Sequence, residues 1–145
     1  MSPDDIPLLF RGSLSRRVQR DDLRAFFHTM VKRVARGREI ACLITGDPEL
    51  RRLNRRFRGA NYATDVLSFP SAAGGEIVIS LDRAAAQAAE QGHTIDQELR
   101  ILMLHGALHL AGMDHETDSG EMAAAETRWR KRLGLPCGLI ERTRA

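Results

Sequence analysis

The chain has 145 residues, of which 43% are hydrophobic and 28% are charged. This length fits one domain, expected to span residues 1–145, and the composition excludes a disordered tail. Two cysteines, Cys42 and Cys137, are too few for a disulfide framework, so we expect a reducing, cytoplasmic setting. The apolar runs are shorter than a bilayer span, and no membrane partner is expected.

Two strands and a helix are predicted before residue 46. Residues 6–11 favour a short edge strand, and residues 40–45 favour a buried one. Between them, apolar side chains recur at helical spacing from Asp21 or Asp22 until Gly37. This spacing is typical of a helix that packs on a core.

A second helix is predicted to begin at Asp47. The run Asp47-Pro48-Glu49 combines a capping carboxylate, a proline at the first helical position and an acidic first turn. The buried face of this helix is predicted to consist of Leu50, Leu53 and Phe57, with arginines on the opposite face. Gly59 is expected to end it.

The arginines of this helix belong to a marked charge asymmetry. Residues 1–60 carry 14 basic and 7 acidic side chains, whereas residues 61–145 carry 8 and 12. Five arginines lie between positions 51 and 58. Because guanidinium groups bind phosphate oxygens well, Arg51 and Arg55 are candidate RNA contacts. The alternative is an ordinary solvated helix face.

Two further strands and an alanine-rich helix are predicted next. The strands are expected at residues 65–69 and 76–81, with Pro70 and two glycines between them. Asp82 is expected to cap the helix that follows, and Gly92 to end it.

The last two predicted helices complete the fold. Thr94 and Gln97 form a capping box before a helix that is apolar nearly all round, which favours a central buried position. A final helix is expected from Asp118 or Glu121 to about Leu133. The sequence therefore predicts an α+β fold, a single domain with a small mixed four-stranded sheet covered by helices.

Three histidines lie close together in and after the central helix. His105 and His109 are four residues apart, so both project from the same side of a helix. His115 can join them only if the chain turns, and Gly112 can supply a left-handed turn. Three imidazoles that converge on one point are typical of a catalytic zinc site with a fourth position for water. We expect one Zn²⁺, although nickel or another divalent metal also suits these ligands.

Two neighbouring positions bear on this site. Asp114 could accept a hydrogen bond from a ring N–H, assist proton transfer or cap the helix end. The histidine spacing predicts a zincin-like metal helix, but zincin proteases carry their general-base glutamate where this chain has Gly106. Glycine inside a helix costs about 1 kcal/mol relative to alanine, which suggests that space is needed near the metal.

The stretch from His105 to His115 and a second block, Thr64 to Pro70, closely resemble the motifs of the YbeY family, which are bacterial metal-dependent endoribonucleases. Met122 and Glu126 after the histidines also fit the family pattern. The resemblance covers about residues 40–130. It implies a single-strand-specific nuclease with zinc on the three histidines.

The resemblance also implies a biological role and partners. The family trims rRNA, especially the 3′ end of 16S rRNA, and takes part in ribosome quality control. Its partners are rRNA and the small ribosomal subunit. A ribosomal protein and a ribosome-assembly GTPase are further candidates, and no DNA partner is expected. The family's arginine before the second block corresponds to Arg58, the expected catalytic residue that stabilises phosphate charge.

Alternatives to these interpretations stay open at this point. Arg58 could form a surface ion pair or an ordinary RNA contact. The protein could be a metallopeptidase-like hydrolase, which the missing glutamate at position 106 opposes. It could also be a non-catalytic ribosome assembly factor with a structural metal, in which case a protein side chain would fill the fourth coordination position.

Overall fold

The computed structural model describes residues 8–12 and 18–143. Their strands are β1 Leu8–Phe10, β2 Glu39–Thr45, β3 Val66–Pro70 and β4 Gly74–Ser80. Their helices are α1 Arg20–Val34, α2 Asp47–Arg58, α3 Leu81–Gln91, α4 Ile95–Leu110, α5 Glu121–Arg132 and α6 Leu139–Thr143. Positions 6 and 7 of the predicted edge strand lie outside the described residues, and α6 was not predicted.

The strands form one mixed sheet in the order β1-β2-β4-β3, which confirms the predicted α+β class. β1, β2 and β4 are parallel, whereas β3 lies at the edge and is antiparallel to β4. Leu43 and Leu67 both pair with Val78, so these three side chains share one face of the sheet. Ile77 and Ile79 point to the other face.

Helices cover both faces of this sheet. On one face, Leu50 of α2 packs with Leu67 and Val78. The larger core lies on the other face, where buried apolar side chains of α1, α3, α4, α5 and α6 surround Ile77 and Ile79. The sheet therefore lies between the arginine-rich helix α2 and the histidine-bearing helix α4.

Helix α4 is the buried central helix that the sequence predicts. The predicted capping box is present, with the Thr94 hydroxyl accepting a hydrogen bond from the Gln97 amide at 3.1 Å. Glu98 on this helix is fully buried. Its carboxylate lies 2.7 Å from a ring nitrogen of His93 and accepts a hydrogen bond from Arg142 at 2.7 Å. This pairing satisfies the buried charge and attaches α6 to α4.

Gly106 lets α4 lie close to the sheet. A Cβ atom at this position would stand 2.9 Å from Cγ2 of Ile77 on β4 and within 3.1 Å of two further Ile77 atoms. The room that glycine provides is therefore taken up by a buried side chain of the sheet. The prediction that the space is needed near the metal was wrong, because it considered the helix without its neighbour.

Two predicted helix caps are also wrong. The N-cap of α2 is Gly46, and the Asp47 carboxylate accepts a hydrogen bond from the Ser80 hydroxyl at 2.6 Å. Ser80 itself caps α3 by accepting from the Arg83 amide at 3.2 Å, while Asp82 accepts from the Asp47 amide at 2.8 Å. The ends of β2 and β4 are neighbours, so each carboxylate bonds to the adjacent element instead of its own helix.

The predicted buried face of α2 is wrong at Phe57. Leu50 is fully buried, but the Phe57 side chain is 58% exposed and meets the ring of Phe69 on β3 edge-on, with ring centroids 5.3 Å apart. Asn54 is buried instead, and its side-chain amide donates a hydrogen bond to the Tyr62 carbonyl at 3.0 Å. The end of α2 therefore lies beside the edge strand β3.

Both cysteines are free thiols. Complete burial raises the pKa of the Cys42 thiol. None of the helices in residues 8–12 and 18–143 combines the length and the hydropathy that a membrane crossing requires.

We expect Gly106→Ala to destabilise the fold by about 1–3 kcal/mol, because overpacking against Ile77 outweighs the better helix propensity of alanine. Urea unfolding in the presence of a chelator measures this packing term without a contribution from bound metal. The double variant Gly106→Ala/Ile77→Ala should lose less stability than the two single losses together, because Ile77→Ala removes the contacting atoms. A Gly106→Ala protein as stable as the parent would contradict the close-approach explanation.

Candidate metal centre

The three histidines converge as the spacing predicts. His105 and His109 stand one turn apart on α4, and Gly112 follows the helix with φ of +97°, in the left-handed region. The Met113 amide donates back to the Leu108 carbonyl at 3.1 Å, which closes the turn and brings His115 towards the helix. One ring nitrogen from each histidine can be chosen so that the three atoms lie within 4.8 Å of one another.

Fixed hydrogen-bond acceptors orient the first two rings. Nδ1 of His105 lies 2.9 Å from a carboxylate oxygen of Glu126, and Nδ1 of His109 lies 3.0 Å from the Met113 carbonyl. Because both oxygens accept, each ring carries its proton on Nδ1 and leaves a lone pair on Nε2. The two Nε2 atoms face each other at 3.2 Å. Two lone pairs at this distance repel each other unless a cation lies between them.

The arrangement fits a divalent metal. Two nitrogens on a tetrahedral zinc ion, each at about 2.0–2.1 Å from it, lie about 3.3 Å apart, close to the observed separation of the Nε2 atoms. Burial, and then the neighbouring His105 ring, lower the pKa of His109, which favours the neutral form that binds metals. Within the described part of the chain, the group contains no fourth His, Cys, Asp or Glu. His109 and His115 are only half-buried, so one side of the group faces solvent.

Glu126 is the site residue whose contact the sequence reasoning missed. Its side chain is buried on α5, and it bonds to His105 through one oxygen and to the Ile140 amide through the other, at 2.7 Å. Gly138 makes room for this carboxylate, since a Cβ there would stand 2.5 Å from it. The sequence signal that Glu126 is buried was its position four residues after Met122, on the buried face of an amphipathic helix.

Asp114 lies in the turn that carries His115. It is exposed, and its carboxylate accepts a hydrogen bond from the Glu116 amide at 3.0 Å. Its carbonyl also accepts from the amides of Thr117 and Asp118. These contacts shape the turn. The suggested bond to a histidine ring and the role in proton transfer stay predictions.

Arg58 is the last residue of α2 and is exposed. Its neighbour Phe57 contacts Phe69 of β3, and the adjacent Ser68 hydroxyl lies 3.4 Å from the Gly106 carbonyl of α4. Within residues 8–12 and 18–143, Arg58 has no carboxylate within ion-pair distance, so the surface ion pair considered from the sequence does not form there. Arg58 therefore lies beside the edge strand β3, and β3 lies between Arg58 and the histidine-bearing helix α4.

Arg51 and Arg55 lie on the exposed face of α2, which the sequence predicts. Arg52 beside them is bonded to Glu49, with its shorter contact at 2.6 Å. The structure places these arginines across the sheet from the histidines and does not bring the two groups together.

Comparisons with known proteins agree with this geometry. A sequence model of the family described as Endoribonuclease YbeY matches residues 13–134. The chain is 55% identical to the Endoribonuclease YbeY of Solibacter usitatus over 146 aligned positions, covering 99% of both chains. It is 42% identical to that of Helicobacter pylori over 109 positions, covering 72% of this chain and 78% of the relative.

A solved structure supports the same fold. The solution structure of a Thermotoga maritima protein superimposes with a TM-score of 0.61 at 28% identity, covering 87% of each chain. The extent of these matches, together with the two motifs and the histidine group they contain, establishes the family. The chain belongs to the YbeY family of endoribonucleases.

Proposed function

We propose that residues 1–145 form one catalytic domain, a metal-dependent endoribonuclease that cuts single-stranded regions of rRNA. The proposed role is maturation of the 3′ end of 16S rRNA and ribosome quality control. Family membership supports the reaction class. The observation that carries the proposal is the pair of Nε2 atoms facing each other at 3.2 Å, open to solvent on one side.

The proposed metal ligands are Nε2 of His105 and His109 and a ring nitrogen of His115, with Zn²⁺ as the proposed ion and nickel or another divalent metal as the alternative. When bound, such an ion polarises a phosphoryl oxygen or lowers the pKa of a coordinated water. The three-histidine group leaves a coordination position without a protein ligand among the described residues. This favours an enzyme over an assembly factor with a closed structural site. The zincin-like character of the helix stays a prediction from spacing.

The residues of the chain have separate proposed tasks. Glu126 holds His105 in the tautomer that presents Nε2, and the Met113 carbonyl does the same for His109. Arg58 is the proposed catalytic partner that neutralises charge on the scissile phosphate. Asp114 is proposed to support the turn and to assist proton transfer. Arg51 and Arg55 are proposed to bind RNA phosphates.

The proposed partners follow from the substrate. They are rRNA within the small ribosomal subunit, together with a ribosomal protein and a ribosome-assembly GTPase, in the cytoplasm. The exposed arginines of α2 support an RNA partner, because guanidinium groups bind phosphate oxygens in bidentate geometry.

His109→Ala should lose bound metal and RNA cleavage together, because it removes one of the two facing nitrogens. Elemental analysis of the purified protein and a cleavage assay on single-stranded RNA measure the two losses. The control is His28→Ala on α1, which removes a histidine outside the group and should keep both properties. Full metal occupancy in His109→Ala would refute the ligand assignment.

Arg58→Glu should keep the fold and the bound metal but abolish 16S rRNA processing, because it replaces the phosphate-neutralising charge by a repelling one. The readout is the 3′ end of 16S rRNA in a strain that carries only this variant. Arg33→Glu on α1 makes the same charge change at an exposed position elsewhere and should process normally. Mature 3′ ends in the Arg58→Glu strain would remove Arg58 from the mechanism.

Glu126→Gln should weaken metal binding by about 10- to 100-fold. Glutamine has one side-chain oxygen, so it can accept a hydrogen bond from the Ile140 amide or from the His105 ring but not from both. Either the His105 tautomer or the contact with α6 is then lost. Competition with a chromophoric chelator measures the affinity, and Glu90→Gln, an exposed change on α3, serves as the control. Equal affinities of Glu126→Gln and the parent protein would show that this carboxylate does not position the ligand.

A further inference from the structure

An arginine-lined cleft lies beside α2, on the face of the sheet away from the histidine helix. Its volume is about 700 Å³. It is lined by Arg51, Arg52, Arg55 and Arg83, by one carboxylate, Asp47, and by Pro48, Asn61, Tyr62 and Ala63. Cationic groups therefore outnumber acidic ones on its walls, which favours an anionic ligand.

Two of these arginines keep most of their hydrogen-bonding capacity. Arg52 is bonded to Glu49, and Nε of Arg83 lies 3.4 Å from Asp47. By contrast, Arg51 donates only its Nε, to the side-chain oxygen of Asn61 at 3.0 Å, and Arg55 has no carboxylate within ion-pair distance in the described part of the chain. Arg51 and Arg55 stand one helical turn apart, so their guanidinium groups can bind neighbouring phosphates.

An aromatic side chain stands beside these arginines. Tyr62 is 63% exposed, although it is large and apolar over most of its surface. The side-chain amide of the buried Asn54 donates a hydrogen bond to the Tyr62 carbonyl at 3.0 Å. Arg51 donates a hydrogen bond to the side chain of the preceding residue, Asn61. The ring is thus presented from a fixed main chain. An aromatic ring next to a basic groove is the combination that binds single-stranded nucleic acid by base stacking and phosphate contacts.

We propose that this cleft is a second RNA-binding site, in which Arg51 and Arg55 bind phosphates of a single-stranded segment and the Tyr62 ring stacks on a base. The inference rests on the proposed function, which makes RNA the substrate. It adds a place that holds the strand away from the metal centre. Arg51 and Arg58 are about 10 Å apart along α2, so a few nucleotides can follow the helix from the cleft towards the proposed catalytic arginine.

The test uses the full-length, metal-loaded protein and a fluorescent 2′-O-methyl RNA of about 12 nucleotides, with gels to verify that the RNA stays intact. Fluorescence anisotropy gives the Kd at several salt concentrations. Tyr62→Ala should weaken binding roughly tenfold, whereas Tyr62→Phe, which keeps the stacking ring, should bind as the parent does. Arg55→Ala should weaken binding and reduce the salt slope by about 0.7, the contribution of one phosphate contact to single-strand binding.

Arg33→Ala on α1 is the matched control, since it removes one exposed arginine on the other side of the sheet. It should leave the Kd near that of the parent. Parent-like binding of the longer RNA by Tyr62→Ala and Arg55→Ala overturns the proposal. An equal loss in Arg33→Ala, or competition by poly-glutamate as strong as by RNA, also overturns it.

Cleavage of unmodified RNA by the parent protein is measured separately. If the parent does not cut RNA but binds it through Tyr62 and Arg55, the proposed function fails and the cleft is supported. If it cuts RNA while the cleft variants bind and cut as the parent does, the cleft and the RNA contacts of Arg51 and Arg55 fail, and the proposed cleavage reaction is supported.

Discussion

Burial of the His105 ring on α4, beside the half-buried ring of His109, is the constraint on which the histidine group depends. A buried polar nitrogen without a partner is costly, so the ring nitrogens on α4 must be satisfied by the surrounding fold. Glu126 and the Met113 carbonyl do this for the Nδ1 atoms, and the Nε2 atoms are left facing each other. The helix packing that builds the core thereby also orients the ring nitrogens that could hold a metal ion.

The sheet keeps the histidine group and the arginines of α2 on opposite sides of the domain. Several guanidinium groups next to the histidines would oppose the binding of a metal ion, since like charges in a poorly solvated site repel strongly. Here α2 and its arginines cover one face of the sheet, and the histidine helix covers the other. Arg58 ends α2 next to Phe57, whose ring meets Phe69 on the edge strand β3.

The order of elements from β1 to α5 and the convergence of the histidines could be predicted because both follow from short-range patterns. Helical spacing places His105 and His109 on one side, and Gly112 provides the turn that returns His115. The contacts that could not be predicted cross between elements. The carboxylate of Asp47 bonds to Ser80 because β2 and β4 end side by side.

The same reason accounts for the other errors. The role of Gly106 depends on Ile77 of the sheet, and the exposure of Phe57 depends on where α2 ends relative to β3. The contact of Glu126 with His105 depends on how α5 packs on α4, although the buried helix face that holds it was visible in the sequence. Periodicity shows that a face is buried, but it does not show which side chain lies opposite.

The bond between Glu126 and the Ile140 amide ties the histidine group to α6. The other oxygen of the same carboxylate contacts His105, so the imidazole ring and the short helix share one anchor. A movement that undocks α6 therefore also loosens the carboxylate behind His105. The packing of α6 thus becomes part of what keeps this ring in its orientation.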